Sequence, residues 1–394
     1  MLSNKEKFKS FNDILKLSGL YSDSICQHQE KEIEKEISKY NDDKDFFWDI
    51  YLFLDSKDYS HFAQKSLNRY LAYKCVEFRD SIKTISIKEL KEKYQKISNL
   101  IENSQVKKVF QHYIFSHLLL NNIKIESSQK NNNEFFNYLK KIGWEHKSFL
   151  FDNTIKKIIK LNEDSTKASV IIISNGNEEY IIETLKEINK QKNGAYKIVF
   201  VSNNKANQTQ KILNLVDTFI QMKENHGAYL ARNIGAAFAF CDILIFLEDD
   251  GVPEENFVNH HISIHDDNNI ISARGTYLSK TNGIMPSHYW LGSDIKPAPT
   301  VLEGNCSFKA KEFYRVGGWG DYIMFGHGGL EICYRMLKSF TAPSQHIYSP
   351  KPILYHDFEK PNKDMKLKKL TQHASWQVLK FSHTDFHNIL NRWK

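Results

Sequence analysis

The chain has 394 residues, more than one ordinary domain needs and enough for two. Apolar residues make up 41% and charged residues 26%, which permits a large core and excludes bulk disorder. The longest aliphatic run is Val170-Ile171-Ile172-Ile173, which excludes a membrane-spanning helix. The opening Met-Leu-Ser-Asn-Lys-Glu-Lys-Phe lacks the apolar core of a secretion signal. Cys26, Cys75, Cys241, Cys306 and Cys333 lie far apart without CxxC spacing, a usage that suits a reducing cytoplasm. Nearly all of the formal net charge of +7 sits in residues 360–394, where eight basic residues meet two acidic ones. The nearly neutral remainder argues against nucleic acid as a partner.

All eight prolines lie at or after Pro253, and only Gly19 and Gly143 among the 17 glycines precede residue 165. With so few turn signals, residues 1–165 read as a helical domain of about six helices. Phe8, Phe11, Ile14 and Leu15 share one helix face. Ser86-Ile87-Lys88-Glu89 reads as a capping box that opens an amphipathic run through Leu90, Tyr94, Ile97 and Ile101. Residues 104–122 and 133–142 read as two more helices. The domain's role is open between packing or oligomerisation and acceptor binding.

From Ala168 the pattern changes. Strands are expected at Ala168–Ser174, Lys197–Ser202, Val216–Met222 and Asp242–Leu247, and helices at Glu178–Lys190, Ala206–Leu215 and Ala228–Phe240. Strands alternating with helices mean βαβ units, an α/β class with a mostly parallel sheet and ligands at the strands' carboxyl ends. One such end stands out. Ile243-Leu244-Ile245-Phe246-Leu247 runs into Glu248-Asp249-Asp250-Gly251, three consecutive carboxylates that need a cation or full solvation. Oxygen ligands at a strand end suit Mg²⁺ or Mn²⁺, and a solvated acidic turn is the bland alternative.

The order of several motifs resembles the family 2 glycosyltransferases of the GT-A fold, over about Ala168 to Glu359. Ser169-Val170-Ile171-Ile172 with Asn177-Glu178-Glu179 resembles that family's first strand and nucleotide-facing loop. Glu224-Asn225-His226-Gly227-Ala228 followed by Ala231-Arg232-Asn233-Ile234-Gly235 is similar to its N-x-G…A-R-N-x-G signature. Glu248-Asp249-Asp250 falls at its metal-binding D-x-D. Glu303-Gly304-Asn305 and Val316-Gly317-Gly318-Trp319 resemble its G-x-N strand and V-G-G-F/W turn, and Leu354-Tyr355-His356 its late strand. The resemblance implies a domain at 166–359 that uses a nucleotide-sugar donor, UDP by default, with inversion. Its acceptor would be a glycan, a lipid-linked glycan or a protein, in cell-surface glycan biosynthesis. Carried over residue by residue, it implies Glu248, Asp250 and His356 as ligands of Mn²⁺ or Mg²⁺. Ser174, Asn175, Glu178, Ser202, Asn203, Arg232 and Asp249 would lie around the donor, and Asn305 and Trp319 on the acceptor side.

Two departures matter. The family's G-G-E-D-type segment, which carries the general base, corresponds to Phe325-Gly326-His327-Gly328-Gly329-Leu330-Glu331. Without a gap the acidic pair falls on Gly328 and Gly329, which leaves Glu331 as the expected base and Asp321 in reserve. Val201-Ser202-Asn203-Asn204 stands where the family often has V-D-D-G, so the loop can hydrogen-bond but carries no charge. These departures keep open a degenerate protein that binds nucleotide or glycan without turnover. Finally, residues 360–394 read as basic amphipathic helices, with Leu367, Leu370, Ala374, Val378 and Phe381 on one face. They either pack on the rest of the protein or touch an anionic membrane from the cytoplasmic side.

Overall fold

The computed structural model describes residues 46–55, 60–102, 106–121, 123, 135–176, 178–203, 210–281, 285–358 and 365–393. The helix face of Phe8 to Leu15, Cys26, Asn177 and Asn204 lie outside the described residues, as do 360–364 of the basic tail.

Helices α1 (Phe46–Asp55), α2 (Ser60–Ser81), α3 (Ile87–Glu102), α4 (Lys107–Leu120), α5 (Phe136–Lys141) and α6 (Ser148–Thr154) come first. The capping box forms as expected. Ser86 N–H donates to Glu89 Oε2 at 2.9 Å and Glu89 N–H to Ser86 Oγ at 3.3 Å. There follow β1 (Ile155–Lys160), β2 (Thr166–Ser174), α7 (Glu178–Lys190), β3 (Tyr196–Ser202), α8 (Gln210–Leu213), β4 (Thr218–Met222), α9 (Ala228–Ala237) and β5 (Cys241–Leu247). Then come β6 (Val252–Pro253), α10 (Phe257–Ile264), β7 (Ser272–Ser279), β8 (Lys296–Pro297), β9 (Asn305–Lys309) and α11 (Ala310–Arg315). The chain closes with α12 (Gly328–Ser339), β10 (His346–His356), α13 (Met365–Ser382) and α14 (Phe386–Leu390). No helix among the described residues is long and apolar enough to cross a membrane.

The strands form one mixed sheet in the order β1-β4-β3-β2-β5-β9-β7-β10-β6, with β8 paired to β10. From the pairings, β2, β3, β4, β5, β7 and β10 run one way, and β1, β6, β8 and β9 run against them. Alternate residues of each strand go to opposite faces. Val170, Ile172, Ile198, Phe200 and Ile245 pack against Ile181 and Leu185 of α7 and Phe257 of α10. Ile171, Val199, Val201, Leu244 and Phe246 pack against Leu230 and Ile234 of α9. β1 was not expected from the sequence. Its lysine-rich Ile-Lys-Lys-Ile-Ile-Lys pattern suits an edge strand, antiparallel to β4, with one face in water.

Two tertiary facts bear on the site. Trp144 and Phe149–Phe151 join the core on the α9 face of the sheet, so the last helices of the N-terminal region belong to the sheet's packing. On α13, Leu370, Ala374 and Val378 share a core with Leu67, Leu71, Phe78, Val109 and Tyr113 of α2 and α4. Of the apolar face read as packing or membrane-facing, Leu370, Ala374 and Val378 are thus buried inside the chain while Leu367 is exposed, and α13 packs with the helical unit.

Burial pushes His112, His117 and His261 down to about 3, and His265 and His346 to about 4. Each is neutral when folded and takes up a proton near 6.5 once unfolded, so below pH 6.5 the unfolded state binds more protons. Acidification from pH 6.5 to 5.5 is expected to cost about 1 kcal/mol per histidine. Chemical denaturation across that range reads it, and a flat profile would contradict their burial.

Candidate active site

The site grows from the order of the central strands. β2 connects to β3 on one side and pairs with β5 on the other, so the chain reverses direction across the sheet between β2 and β5. Loops diverge at such a switch point and leave a crevice at the strands' carboxyl ends. β5 delivers Glu248, Asp249 and Asp250 there. β6 then pairs Val252 with Tyr355 and Pro253 with Leu354 on β10, which carries Asp250 to the end of a strand more than a hundred residues away. That end is His356.

One ligand atom each from Glu248, Asp250 and His356 falls within 4.8 Å of the others, and His356 Nε2 lies 3.5 Å from Asp250 Oδ1. Burial, then the charge of Asp250, pushes the Glu248 carboxyl up to about 7 against the pull of His356 and Arg232. Burial also raises Asp249 to about 6, opposed by a hydrogen bond with Ser174 and reinforced by Asp250. The hydrogen bond with Asp250 raises His356 in turn. His356 Nδ1 is buried without a hydrogen-bond partner. Two crowded carboxylates and an imidazole form a donor set that suits Mn²⁺ or Mg²⁺, so the residues fit the expected cation.

Close backbone approach holds this arrangement. Glu248 N–H donates to the Gly304 carbonyl at 3.0 Å, because β9 starts beside the end of β5, with Leu247 opposite Asn305. A Cβ on Gly304 would stand 1.9 Å from Glu248 Cγ, so only glycine fits. Tyr277 on β7 hydrogen-bonds Glu248. Thr184 of α7 donates to the carbonyls of Asp249 (3.2 Å) and Gly251 (2.8 Å), which ties down the acidic turn.

Beside the cluster lies a pocket of ≈ 620 Å³, in the range of small-molecule sites. Ser174, Asn175, Asn203, Arg232, Glu248 and Asp249 all line it. Arg232 is 6% exposed and lies over the rings of Tyr229 (5.8 Å) and Trp319 (5.7 Å). Its Nη1 makes no hydrogen bond; Glu303 Oε2 is 3.6 Å away. Ser202 is buried at the end of β3 and Glu178 sits in the first turn of α7, and neither is among the lining residues. Asn203 is engaged in the scaffold. Its amide donates to Asn225 Oδ1 (3.0 Å) and the Gly227 carbonyl (2.9 Å), and its oxygen accepts from His226 N–H (3.3 Å).

The expected base residues lie elsewhere. Glu331 is fully buried and paired with Arg335, with Nε at 2.5 Å and Nη2 at 2.6 Å, and it accepts from the Tyr322 hydroxyl at 2.9 Å. Burial opposes its charge, but Arg335 and the His383 hydrogen bond hold its carboxyl down at about 2. Asp321 is ion-paired to buried Lys147 and accepts from Asn233 Nδ2 at 2.5 Å. Both carboxylates are spent on the fold. Asn305 and Trp319 are also internal: Asn305 bonds the carbonyls of Thr276 and Pro352 and faces His261, and Trp319 packs among Phe246, Phe308 and Phe313.

The start of α12, where an acidic pair was sought, has no room for side chains. A Cβ on Gly328 would stand 2.1 Å from the Tyr229 ring, and one on Gly329 1.8 Å from the Thr300 carbonyl oxygen. A carboxylate comes there from another segment. Glu303 Oε1 accepts from Gly329 N–H at 2.8 Å, and Oε2 accepts from the Tyr229 hydroxyl at 2.7 Å. In the sequence Glu303 stands in the Glu303-Gly304-Asn305 motif, which implies no role for it. Its one signal was its place before Gly304.

Residues 169–325 match the family model for Glycosyl transferase family 2. The match covers β2 to β9 of the mixed, mostly parallel sheet, including the switch point between β2 and β5. Among solved structures, S. aureus TarS 1-349 aligns with 15% identity and a TM-score of 0.43, over 58% of this chain and 70% of that one. The same protein in complex with UDP-GlcNAc gives 15% and 0.44, over 58% and 72%. GalNAc-T7 with UDP, GalNAc and Mn²⁺ gives 14% and 0.43, over 53% and 47%. No curated protein matches the sequence significantly.

Two outcomes are expected from this geometry. Gly304→Ala should displace Glu248 and weaken Mn²⁺ binding at least about tenfold with the circular dichroism unchanged; unaltered binding in calorimetry would contradict the site. Lys147→Met should destabilise the protein by about 3–5 kcal/mol in chemical denaturation, because it leaves Asp321 buried and unpaired.

Proposed function

We propose that the protein is a metal-dependent, inverting glycosyltransferase that moves a sugar from a nucleotide-sugar donor to a hydroxyl acceptor. The observation that carries this is the convergence of Glu248, Asp250 and His356 beside a pocket at the β2/β5 switch point that Glu248 lines. The family match over 169–325 supports the donor class. UDP as the nucleotide and a glycan, lipid-linked or protein acceptor rest on the sequence resemblance. A cytoplasmic setting rests on the scattered cysteines, of which the four described are unpaired.

In this reading the acceptor oxygen attacks the anomeric carbon from the face opposite the nucleoside diphosphate, whose carbon–oxygen bond breaks, and the acceptor's proton passes to a base. A divalent cation held by Glu248, Asp250 and His356 would supply positive charge toward the departing diphosphate. Arg232, fixed over two aromatic rings, adds a permanent charge on the same side of the pocket. For the base we take Glu303, the carboxylate hydrogen-bonded at the start of α12. Tyr229 and Gly329 hold it in place, and its side chain keeps 19% exposure toward solvent.

A second reading, binding without turnover, draws on one observation: Gly328 and Gly329 leave no room for an acidic pair. Release of nucleoside diphosphate from a panel of nucleotide-sugars, with and without Mn²⁺, separates the two. The proposal expects release from one donor, at least about a hundredfold slower in Asp250→Ala, and slowed about a hundredfold in Glu303→Gln with nucleotide binding kept. Metal-dependent nucleotide binding with no release would establish the second reading. Neither binding nor release would overturn both.

A further inference from the structure

The ≈ 620 Å³ pocket is not built by the α/β unit alone. Val106, Lys107, Lys108 and Val109 at the start of α4, and Leu367 and Thr371 of α13, line the same cavity as Ser174, Asn203, Arg232 and Asp249. The placement is enforced from several sides. His112 Nε2 and Ser116 Oγ of α4 lie 2.7 and 3.1 Å from the Asp321 carbonyl oxygen, in the segment that leads to α12. Phe115 stacks on His226 with centroids 5.0 Å apart and planes 10° apart, directly after Asn225 of the pocket. α13 is bound to α2 through Asn68, whose amide donates to the Leu370 carbonyl at 3.2 Å.

We propose that the helical unit completes the donor pocket, with Lys107 and Lys108 at the start of α4 neutralising the phosphates of a nucleoside diphosphate. Three observations carry this. Helical residues line the cavity beside Asn203, whose side chain is committed to Asn225, Gly227 and His226 and so offers little to a ligand. α4 spans 14 residues and Val106–Val109 at its start line the cavity, which puts the positive end of its dipole at the cavity wall. Arg232, nine-tenths buried in the same wall, keeps Nη1 without a hydrogen bond. Among the described residues neither Lys107 nor Lys108 is in an ion pair, so their charge is available to an anion. The inference rests on the nucleotide-sugar reading above and assigns the helical unit to the donor side of that site, not to the acceptor.

The test is titration calorimetry on the full chain with MnCl₂ at two salt concentrations. UDP, GDP, ADP and CDP are screened first, and the tightest is compared with its monophosphate and free nucleoside. Lys107→Ser/Lys108→Ser is expected to weaken the diphosphate about tenfold or more. It should leave the nucleoside unchanged and flatten the salt dependence seen in the wild type. Lys107→Arg/Lys108→Arg is expected to keep wild-type affinity, which separates lost charge from lost packing. Equal diphosphate affinity in the serine variant, or equal weakening of diphosphate and nucleoside, overturns the inference and leaves the transferase reading standing. Absence of nucleotide binding in the wild type overturns both.

Discussion

Three carboxylates on consecutive residues at the end of a buried strand repel one another, and much of the structure is arranged around that fact. Asp250 is turned toward His356 by β6, Asp249 is held by Ser174, and Glu248 is pressed between Tyr277 and the backbone of Gly304. Each contact separates the charges or offsets one of them, yet Glu248 still sits near 7. The site carries excess negative charge of the kind a hard divalent cation relieves. That charge lies beside a pocket holding Arg232 and, from the helical unit, Lys107 and Lys108. Opposed charges of this kind match a ligand that is anionic at one end and held through a cation.

A second cluster holds the units together. Asp321 receives Lys147 on its carboxylate and Asn233 on its other oxygen, while its carbonyl meets His112 and Ser116 of α4. Arg335 performs a similar task for Glu331 and reaches the carbonyls of Val316 and Gly318. Buried charges are costly unless fully paired, and each of these is. Two carboxylates with catalytic residue types in catalytic motif positions are therefore taken up by joining segments. Glu303 is left as the carboxylate at the start of α12, supplied by the loop before β9 and not by the helix itself.

The local patterns were legible in the chain: the alternating strands and helices from Ala168, the capping box at Ser86, the acidic strand end, and a proline-free helical region. Each depends on neighbours in sequence, where spacing and propensity act directly. That Glu248, Asp250 and His356 come together was expected through the order of motifs that resembles a family and not through spacing. The edge strand β1 was missed because Ile155–Lys160 gains its identity from pairing with β4. The surroundings of Glu331 and Asp321 were not legible, because they depend on which cation reaches each carboxylate, and Arg335 and Lys147 are named only by packing.

The sequence by itself therefore determined the class of fold, the positions of β2, β3, β4 and β5 and the acidic end of β5, since these follow from short-range periodicity and from like charges placed side by side. Tertiary structure alone decided that His356 meets Asp250, that α13 joins α2 and α4, and that Val106–Val109 wall the pocket of a distant strand end. The physical reason is the same in each case. Burial and charge pairing between segments a hundred or more residues apart depend on how layers pack, and no local pattern in the chain records it.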